Sequence, residues 1–357
     1  MPTASFDQPK RENVMTKLSN QQVVLAARPD GDLKPSDLRL EDVAVPIPGE
    51  REVLLETIYL SIDPYMRWWM RAEKSYNDPI EIDQVIVGAT VSRVRESHHP
   101  DWQVGAWVLA FSGWKRFAVS DGSDLRRLDP DLAAPSTALG VLGMTGFTAY
   151  AGLRNIGKPK PGETVVVAAA SGAVGSMVGQ IARLRGARAV GITTGAQKLS
   201  YVKDELHFDA VADYNAPDFA EQLAKACPDG IDVYFESVGG KIWDAVLPLL
   251  NTYARVPVCG VISQYEKPSG VQENTDRLSN TMAQIMGKSL TLRGFIQTEY
   301  AQEQLADFLE EAGQWIADGK LSYREQITHG LHTAPQALID QLKGRNFGKT
   351  IVQVSEV

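Results

Sequence analysis

The stretch Thr164–Lys198 constrains this chain more than any other. It opens with a short apolar run, Val165–Ala169, that suits a buried strand. The turn Ala170–Gly175 (ASGAVG) then fits the G-x-G-x-x-G template, except that alanine replaces the first glycine. Helical apolar spacing follows over Ser176–Arg185, and Ala189–Ile192 has the character of a second strand. This order predicts a nucleotide-binding βαβ unit in a parallel sheet.

Charged residues in and after this unit indicate which nucleotide it binds. The first N–H groups of the helix have no intrahelical partner and, with the helix dipole, attract a pyrophosphate. In NAD-binding units an Asp or Glu about 20 residues farther along accepts the ribose 2′-OH. No acidic residue lies between Glu163 and Asp204, although five Lys and Arg residues do. Since Lys198 would attract a 2′-phosphate that a carboxylate would repel, the sequence predicts NADP rather than NAD.

Two other interpretations of the same stretch are weaker. A turn of small residues can simply pack a helix against a sheet, but the flanking strand and helix patterns disfavour that interpretation. Thr164–Ala182 carries no charge and is nearly as long as the ~20 apolar residues that cross a bilayer. Its serines, glycines and glutamine lower its hydrophobicity, and a break from strand to helix explains it better. We therefore predict no membrane span.

The composition limits the classes of protein to which the chain can belong. Its 357 residues favour two domains, each large enough for its own core. Hydrophobic residues make up 44% and charged residues 22%, with a mean hydropathy of −0.18, as in ordinary globular proteins. The net charge of −8 and the lack of a basic stripe with interleaved aromatics argue against nucleic-acid binding.

The cysteines and the first residues bear on the compartment. Cys227 and Cys259 are the only two cysteines, too few for a disulfide framework, and they fit a reducing environment. Residues 1–20 are polar and lack the apolar segment of a secretory signal, so we expect a flexible extension or an expression remnant. Together these features predict a cytoplasmic protein.

Two kinds of secondary-structure pattern follow one another along the chain. Residues 21–96 have the mixed polarity and β-branched content of half-exposed strands, whereas strands and helices alternate beyond Pro161. The strands expected in the first region are Gln22–Ala26, Glu52–Ser61, Gln84–Arg95, Val104–Ala110 and Trp114–Ser120. Helices are expected at Leu139–Leu153 with a break at Gly143–Gly146, at Phe219–Cys227, from Gly240 through Leu250, and at Glu299–Asp318. The later strands are expected at Ala210–Asp213, Ile231–Glu236, Ala254–Cys259, Ser289–Phe295, Ile327–Leu331 and Lys349–Val354.

These patterns predict a β-rich domain that is interrupted by a dinucleotide-binding domain. We place the flexible N-terminal extension at residues 1–20 and the β-rich substrate domain at residues 21–142. The dinucleotide-binding domain occupies residues 143–321, and residues 322–357 return to the substrate domain. The chain contains no internal repeat or low-complexity tract that would complicate this division.

At this point the chain resembles the medium-chain dehydrogenase/reductase superfamily. Within it, the chain is similar to the zinc-independent branch of prostaglandin/leukotriene reductases, plant alkenal double-bond reductases and curcumin reductases. The strings that carry the resemblance are Asp63–Arg67 (DPYMR), Gly143–Tyr150 (GMTGFTAY), Ala169–Ser176 (AASGAVGS), Phe235–Gly240 (FESVGG), Cys259–Tyr265 (CGVISQY) and Asn346–Thr350 (NFGKT). The resemblance implies an α/β fold in which a Rossmann doubly wound parallel sheet is inserted in a β-rich, GroES-like domain.

The resemblance also implies an activity and a set of contacts. Members of this branch use NADPH, without a metal, to reduce the C=C bond of α,β-unsaturated ketones and aldehydes. The pyrophosphate would lie on Gly172, Ala173, Val174 and Gly175, and the 2′-phosphate end on Lys198 and Tyr214. The rest of the cofactor would contact Met144, Thr148, Ser237, Cys259, Gly260, Ile262, Ser263, Tyr265, Phe295, Ile296, Gln297 and Asn346. An edge strand in Ser289–Phe295 that pairs with its copy would make a homodimer.

Three positions depart from the family's usual pattern. Glu236-Ser237 stands where Asp-Asn is common before Val-Gly-Gly. Thr145 stands where proline is common. Glu266 stands where asparagine commonly follows the tyrosine.

Tyrosines are the candidate catalytic residues. Hydride addition to the β-carbon of an enone develops negative charge on the carbonyl oxygen, and a preorganised donor aimed at that oxygen lowers the barrier. A phenol donates a hydrogen bond and packs beside flat apolar molecules. Tyr265 follows the fifth strand of the parallel sheet, at the carboxyl edge where open sheets bind ligands, and Tyr65 could face the same cleft from the other domain. Either could instead be a packing tyrosine, and water could supply the α-carbon proton.

Other chemistries fit the sequence poorly. The five histidines and two cysteines show no ligand spacing, so we predict no metal and disfavour zinc alcohol dehydrogenase chemistry. No tyrosine has a lysine four residues later, which disfavours a short-chain dehydrogenase.

Several alternatives stay open. The chain could be an NADPH quinone oxidoreductase of the same superfamily, or an NADPH-binding protein with little turnover. Trp68–Met70 is either a wall that faces the substrate or a strip of the core. In the leading hypothesis the partner is a small enone or enal.

Overall fold

Two large β-sheets organise residues 19–267 and 277–357, the part of the chain that this computed structural model describes. One sheet has six strands, the other has seven, and a separate hairpin joins two more. Sequence predictions for residues 1–18 and 268–276 lie outside the described residues. Among the described residues, 19–267 and 277–357, no helix has both the length and the apolar character that crossing a membrane requires.

The elements follow in chain order. The strands are β1 (Ser19–Leu25), β2 (Leu38–Ala44), β3 (Val53–Ser61), β4 (Thr90–Ser97), β5 (Trp107–Ala110), β6 (Phe117–Ser120), β7 (Arg126–Leu128), β8 (Thr164–Ala168), β9 (Arg188–Thr193), β10 (Ala210–Asp213), β11 (Ile231–Phe235), β12 (Leu250–Val258), β13 (Thr291–Gly294), β14 (Glu325–His329) and β15 (Lys349–Gln353). The α-helices are α1 (Tyr65–Trp69), α2 (Met144–Gly152), α3 (Ala173–Leu184), α4 (Ala196–Ser200), α5 (Phe219–Ala226), α6 (Lys241–Val246), α7 (Arg277–Lys288), α8 (Ala301–Ala317) and α9 (Ala334–Leu342). Short 3-10 or π-helical segments lie at Pro35–Asp37, Pro135–Leu139, Leu153–Gly157, Tyr201–Glu205, Leu247–Leu249, Ile262–Gln264, Gln297–Tyr300 and Leu331–Thr333.

The six-stranded sheet is parallel throughout, in the order β10-β9-β8-β11-β12-β13. Its strand β8 is buried along its whole length because helices cover both faces of the sheet. Val165 and Val167 pack in a core with α2, α3 and α8, whereas Val166 and Ala168 pack in a second core with α5 and α6. This alternation confirms the doubly wound sheet that the continuous apolar run predicts.

The seven-stranded sheet combines early and late parts of the chain. Its order is β14-β15-β3-β4-β5-β7, with β6 paired to β3. β15 runs antiparallel to β3, and β14 runs parallel to β15. The last two strands therefore extend a sheet that β3 begins. The exact domain boundaries, at 142/143 and 321/322, stay predictions.

Some elements differ from the sequence predictions. Strands β2 and β7 and helices α1, α4, α7 and α9 have no counterpart among the predicted elements. β2 carries charged side chains and pairs with β1, so its own apolar pattern is weak. α7 has apolar residues at helical spacing, Leu278, Met282 and Met286, but buries none of them. The helix expected at Leu139–Leu153 begins only at Met144. A Cβ on Gly143 would lie 2.1 Å from the Ala138 carbonyl oxygen, so this glycine marks the helix start rather than an internal break.

The start of β15 joins the glycine turn to the turn that precedes α1. The Lys349 ammonium lies 2.6 Å from Asp63 Oδ1, and both side chains are less than 5% exposed (4% and 3%). One residue earlier, the Gly348 N–H donates to the Ser171 carbonyl oxygen at 3.1 Å. Gly348 has φ +79°, and a Cβ there would lie 2.3 Å from the Arg324 carbonyl oxygen, so only glycine fits. This short segment therefore links the parallel-sheet side of the molecule to the β-rich side.

Candidate active site

The glycine turn has the shape that a pyrophosphate requires. Gly172 caps α3, and its N–H donates to the Ala169 carbonyl oxygen at 2.8 Å. A Cβ on Gly175 would lie 2.4 Å from that same oxygen, so glycine is required there. The first N–H groups of α3, those of Ala173, Val174 and Gly175, have no partner within the helix and are free to bind an anion.

A neighbouring strand makes room for alanine in the first position of the template. The left-handed residue of the turn is Ala169, with φ +50°, rather than Ala170. Ala170 is fully buried, and a Cβ on Gly191 of β9 would lie only 2.8 Å from the Ala170 Cβ. The missing side chain of Gly191 therefore leaves the space that Ala170 occupies.

Lys198 and Tyr214 converge on one backbone position. The Lys198 ammonium donates to the Gly344 carbonyl oxygen at 2.7 Å, and the Tyr214 hydroxyl lies 3.6 Å from where a Cβ on Gly344 would be. Burial lowers the pKa of Lys198, and no carboxylate of residues 19–267 or 277–357 pairs with it. A 2′-phosphate fits here because it would supply the missing anion. The Lys241 ammonium, which no sequence motif marks, lies 5.0 Å from the Tyr214 ring centroid and adds positive charge.

Glu236 holds the loop after β11. The Val238 and Gly239 N–H groups donate to Glu236 Oε1 at 2.7 and 2.8 Å, and burial raises the pKa of this carboxyl. Ser237 lies in the same loop, with its hydroxyl 3.5 Å from the Ala168 carbonyl oxygen. Because Ala168 ends β8, Ser237 stands at the carboxyl edge of the sheet, beside the glycine turn.

The segment after β12 folds onto that loop. The Ile262 N–H donates to the Ser237 carbonyl oxygen and the Ser263 N–H to that of Val238, both at 3.1 Å. Just before them, burial raises the pKa of the Cys259 thiol to about 12. A thiol with this pKa is protonated at neutral pH, which makes Cys259 a packing residue rather than a nucleophile. The predicted contacts on this segment thus lie close to Ser237.

Two predicted contacts share one face of α2. Met144 and Thr148 lie one helical turn apart and are partly accessible, whereas the residues between them are buried. The Thr148 hydroxyl donates to the Met144 carbonyl oxygen at 2.8 Å. Elsewhere, the Asn346 amide donates to the Gly348 carbonyl oxygen at 3.2 Å, at the segment that touches the glycine turn. As cofactor contacts, these three residues stay predictions.

Phe295 differs from the other predicted contacts because its side chain belongs to the core. It is 7% exposed and packs edge-on against Phe235, with ring centroids 6.1 Å apart. Its N–H already donates to the Val258 carbonyl oxygen at 3.2 Å, and its contact with a cofactor stays a prediction. Ile296 and Gln297, which follow β13, are more accessible, and their contact with a cofactor stays a prediction.

Tyr265 stands on a loop that reaches from the parallel sheet to the β-rich side. Its hydroxyl lies 3.1 Å from where a Cβ on Gly260 would be, so it points back toward the end of β12. Its ring packs against Trp68 of α1, with centroids 5.3 Å apart. Burial raises the pKa of Tyr265 to about 12. The phenol is therefore protonated at neutral pH and can donate a hydrogen bond.

Tyr65 belongs to a second group of rings, which adjoins the first because Trp68 and Trp69 are consecutive residues of α1. Its ring lies 4.6 Å from that of Trp69, and the Trp69 ring lies 5.6 Å from that of Tyr76. Burial, with the nearby Asp63 carboxylate, raises the pKa of Tyr65 well above its usual range. The aromatic cluster, as we name it, consists of Tyr65, Trp68, Trp69, Tyr76 and Tyr265.

The cluster divides the strip Trp68–Met70. The two tryptophans are half-buried members of the cluster, whereas Met70 is fully buried in the core of the β-rich side. Tyr76 is 55% exposed and lies in the loop after α1, where no sequence motif marks it. Met70 thus belongs to the core, whereas a wall of Trp68 and Trp69 that faces the substrate stays a prediction.

No group of three or more His, Cys, Asp or Glu side chains among the described residues is placed to hold a metal ion. The site offers other groups. An anion cradle at α3, a cation pair at Lys198 and Lys241, and protonated phenols beside flat rings lie along one edge of the sheet. This arrangement suits a phosphorylated nucleotide together with a flat carbonyl compound.

Comparisons with known proteins agree with this geometry. A family model described as the N-terminal domain of oxidoreductase matches residues 21–128, and one described as zinc-binding dehydrogenase matches residues 173–313. The NADPH-dependent curcumin reductase of Escherichia coli is 53% identical over 342 residues, which cover 95% of this chain and 98% of that reductase. The NADP(+)-dependent 2-alkenal reductase of Nicotiana tabacum is 39% identical over 345 residues, again covering 95% and 98%. The crystal structure of CurA in complex with NADPH from Vibrio vulnificus is 50% identical, with a TM-score of 0.91 over 94% of this chain and all of that chain (100%).

The fold, the nucleotide cradle and these matches define an oxidoreductase of the medium-chain dehydrogenase/reductase superfamily. Within the superfamily, the chain belongs to the zinc-independent reductase branch, together with curcumin reductase, 2-alkenal reductase and prostaglandin reductase 1. The family that the six sequence strings indicate is therefore confirmed.

The Lys198 ammonium, which pairs with no carboxylate of the described residues, leads to a prediction about cofactor preference. Lys198→Met should raise the Kd for NADPH about 10- to 100-fold, because one charge-assisted hydrogen bond to the 2′-phosphate is lost. The Kd for NADH, which lacks that phosphate, should change less than about twofold. Titrations of both nucleotides against the cofactor-free protein measure the two constants.

Lys203→Met is the matched control for this prediction. Lys203 lies five residues farther along, and its ammonium donates to the Asp209 carbonyl oxygen at 2.8 Å. The Lys203→Met substitution should leave the Kd values for NADPH and NADH unchanged. Equal weakening of NADPH and NADH by Lys198→Met would show that Lys198 does not read the 2′-phosphate.

Proposed function

We propose that this protein uses NADPH to reduce the C=C bond of α,β-unsaturated ketones or aldehydes, without a metal. One observation carries the proposal. The protonated phenol of Tyr265 stands where the carboxyl edge of the parallel sheet meets the aromatic cluster. The reductase names of the relatives support the same chemistry, since they act on curcumin and on 2-alkenals.

The residues of this chain would act on separate parts of the reaction. The N-terminus of α3 binds the pyrophosphate, and Lys198 with Tyr214 binds the 2′-phosphate. When bound, NADPH supplies the hydride that the β-carbon of the substrate takes up. The aromatic cluster orients a flat conjugated substrate, and Tyr265 donates a hydrogen bond to the carbonyl oxygen as negative charge builds up there. Tyr65, the second candidate phenol, packs against Trp69 of the same cluster.

The proposed reaction has a product that identifies it. Addition of an enone or enal should accelerate the oxidation of NADPH, and the product should be the saturated ketone or aldehyde with its C=O bond intact. The reason is that the hydrogen bond from Tyr265 stabilises charge on the oxygen while the hydride goes to carbon. The measurement is NADPH absorbance together with mass-spectrometric or NMR identification of the product.

Other outcomes of the same assay favour other functions. An allylic alcohol as product would contradict reduction of the C=C bond. Faster NADPH oxidation with a quinone than with any enone or enal would favour the quinone oxidoreductase. Tight NADPH binding with no acceptor-dependent oxidation would favour a protein with little turnover.

Removal of the Tyr265 hydroxyl tests its role directly. Tyr265→Phe should lower kcat/KM for the enone about 100-fold, the usual cost of losing one donor to a developing oxyanion. Because the pKa of Tyr265 rises to about 12, the wild-type phenol stays protonated as the pH rises through neutrality. The ratio of wild-type to variant kcat/KM should therefore be constant between about pH 7 and pH 10. Steady-state kinetics across this range gives the ratio.

An exposed tyrosine provides the control. Tyr253 is 71% exposed and lies outside the aromatic cluster, so Tyr253→Phe should leave kcat/KM unchanged. A wild-type to variant ratio that falls as the pH rises from 7 to 10 would mean that Tyr265 loses its proton in this range. A ratio near one at every pH would make Tyr265 a packing residue.

The same site is proposed to work within a homodimer. β13 is the edge strand of the parallel sheet, pairs with β12 on one side, and is largely exposed. Nearby, α7 presents Leu278, Met282 and Met286, which are 71%, 56% and 82% exposed, along one face. Pairing of β13 with its copy would cover this edge. Light scattering should give twice the chain mass of 39.1 kDa, and a mass of one chain would contradict the proposal.

The cytoplasmic location stays a prediction. Both cysteines are free, as expected for a reducing compartment. The proposed partner is a small enone or enal, whose flat conjugated system suits the rings of the aromatic cluster.

A further inference from the structure

We propose that Arg71 and Glu266 are positioning residues, which hold the Tyr265 loop, Gly260–Lys267, against the β-rich side of the molecule. The inference rests on the proposed function, because it concerns the phenol assigned there. It assigns the placement of Tyr265 to contacts between the parallel-sheet side and the β-rich side of the molecule. No sequence motif marks Arg71, and Glu266 is one of the positions that depart from the family pattern.

Arg71 fastens the loop through its backbone. Its Nη2 lies within hydrogen-bond distance of three carbonyl oxygens, those of Gln264 (2.9 Å), Tyr265 (3.3 Å) and Lys267 (2.8 Å). Its guanidinium also lies over the Trp68 ring, 4.2 Å from the centroid. The same side chain therefore contacts the backbone of Tyr265 and the ring against which Tyr265 packs.

Arg71 is itself anchored to the β-rich side. Arg28 Nη1 donates to the Arg71 carbonyl oxygen at 3.0 Å and to those of Met70 and Ile80 at 3.2 and 2.9 Å. Met70, the residue before, is fully buried in the core. Because its backbone is fixed in this way, Arg71 can transmit the position of α1 to the Tyr265 loop.

Glu266 fastens the same loop through its side chain. The Leu33 N–H donates to Glu266 Oε1 at 3.1 Å, and the Lys343 ammonium lies 3.0 Å from Glu266 Oε2. Lys343 also lies 2.6 Å from Asp32 Oδ2, so one cation bridges two carboxylates. The Glu266 side chain is only 15% exposed, which strengthens the pair relative to a surface ion pair.

These contacts give the loop a second attachment. Along the chain, the loop leaves the end of β12, where Gly260 provides little side-chain packing. On the β-rich side, Arg71 and Glu266 tie the Tyr265 loop to α1 and to Lys343, the residue that follows α9. The position of the Tyr265 hydroxyl relative to Trp68 thus depends on both attachments, and a shift of about 1 Å in such a group can cost a large part of the rate.

The test combines kinetics with hydrogen exchange. Arg71→Met should lower kcat/KM for the enone about tenfold, with the NADPH Kd unchanged within about twofold. In the Tyr265→Phe background the same substitution should change kcat/KM less than about twofold, since the group that it positions is already gone. Glu266→Gln keeps an acceptor for the Leu33 N–H but loses the ion pair, and should give a smaller loss of about threefold.

Hydrogen exchange of the cofactor-free protein reports the loop independently of activity. The Ile262 and Ser263 amides are hydrogen-bonded in the closed loop. They should exchange faster in Arg71→Met and in Glu266→Gln than in the wild type, because the loop opens more often. Unchanged exchange in both variants would overturn the proposal even if activity falls.

Arg255→Met is the matched control. Arg255 also binds two carbonyl oxygens, those of Gly157 (2.9 Å) and Lys158 (3.2 Å), and pairs with Glu163, but it lies away from the Tyr265 loop. It should lower Tm while leaving enone kcat/KM and the exchange of residues 262–263 unchanged. Equal losses from Arg71→Met in the wild-type and Tyr265→Phe backgrounds would also overturn the proposal. If the wild-type protein has no enone activity but both variants show the expected faster exchange, the proposed function is contradicted and the positioning role is not.

Discussion

The rest of the site depends on the buried ion pair between Lys349 and Asp63. Both side chains are almost completely withdrawn from water, and removal of one member of such a pair typically costs about 3–5 kcal/mol. The pair lies one residue from the backbone bond that joins Gly348 to Ser171 of the glycine turn. At its other end, Asp63 opens the turn that presents Tyr65. A single short segment of β15 therefore relates the nucleotide cradle to the aromatic cluster.

The sequence predicts the parallel sheet and the cofactor turn well because their signals are local. β8 must be apolar on both faces, since helices cover both, and Gly175 is dictated by atoms of the turn itself. Elements with little burial are different. β2 is placed by its pairing with β1, and α7 by contacts such as that of Thr281 with Trp243 of α6, since α7 buries none of its residues. The local sequence therefore predicts the buried strand and the glycine turn, but not elements whose place depends on contacts with other parts of the chain.

The candidate site shows the same division. Tyr265 and Tyr65 can be proposed from motifs, whereas Lys241 and Arg71 enter only through contacts made by the folded chain, and Tyr76 enters through its ring contact with Trp69. Arg71 reaches the Tyr265 loop across a separation of more than 190 residues (|i−j| of 193 to Gln264), and no spacing rule covers such a distance. Phe295 illustrates the opposite case, because its place in the cofactor segment is compatible with a side chain that packs in the core. Whether a residue faces a ligand or a core is decided by tertiary packing.

The contact between Ala170 and Gly191 has a consequence for how such sites evolve. The space that the nucleotide turn needs is provided here by a glycine on the adjacent strand, so the two positions form one unit that is divided between separate stretches of chain. A larger residue at either position is compatible with the turn only when the other stays small. The substitutions open to β9 are thus limited by a residue of the glycine turn, although neither side chain bears any chemical group that acts on a substrate.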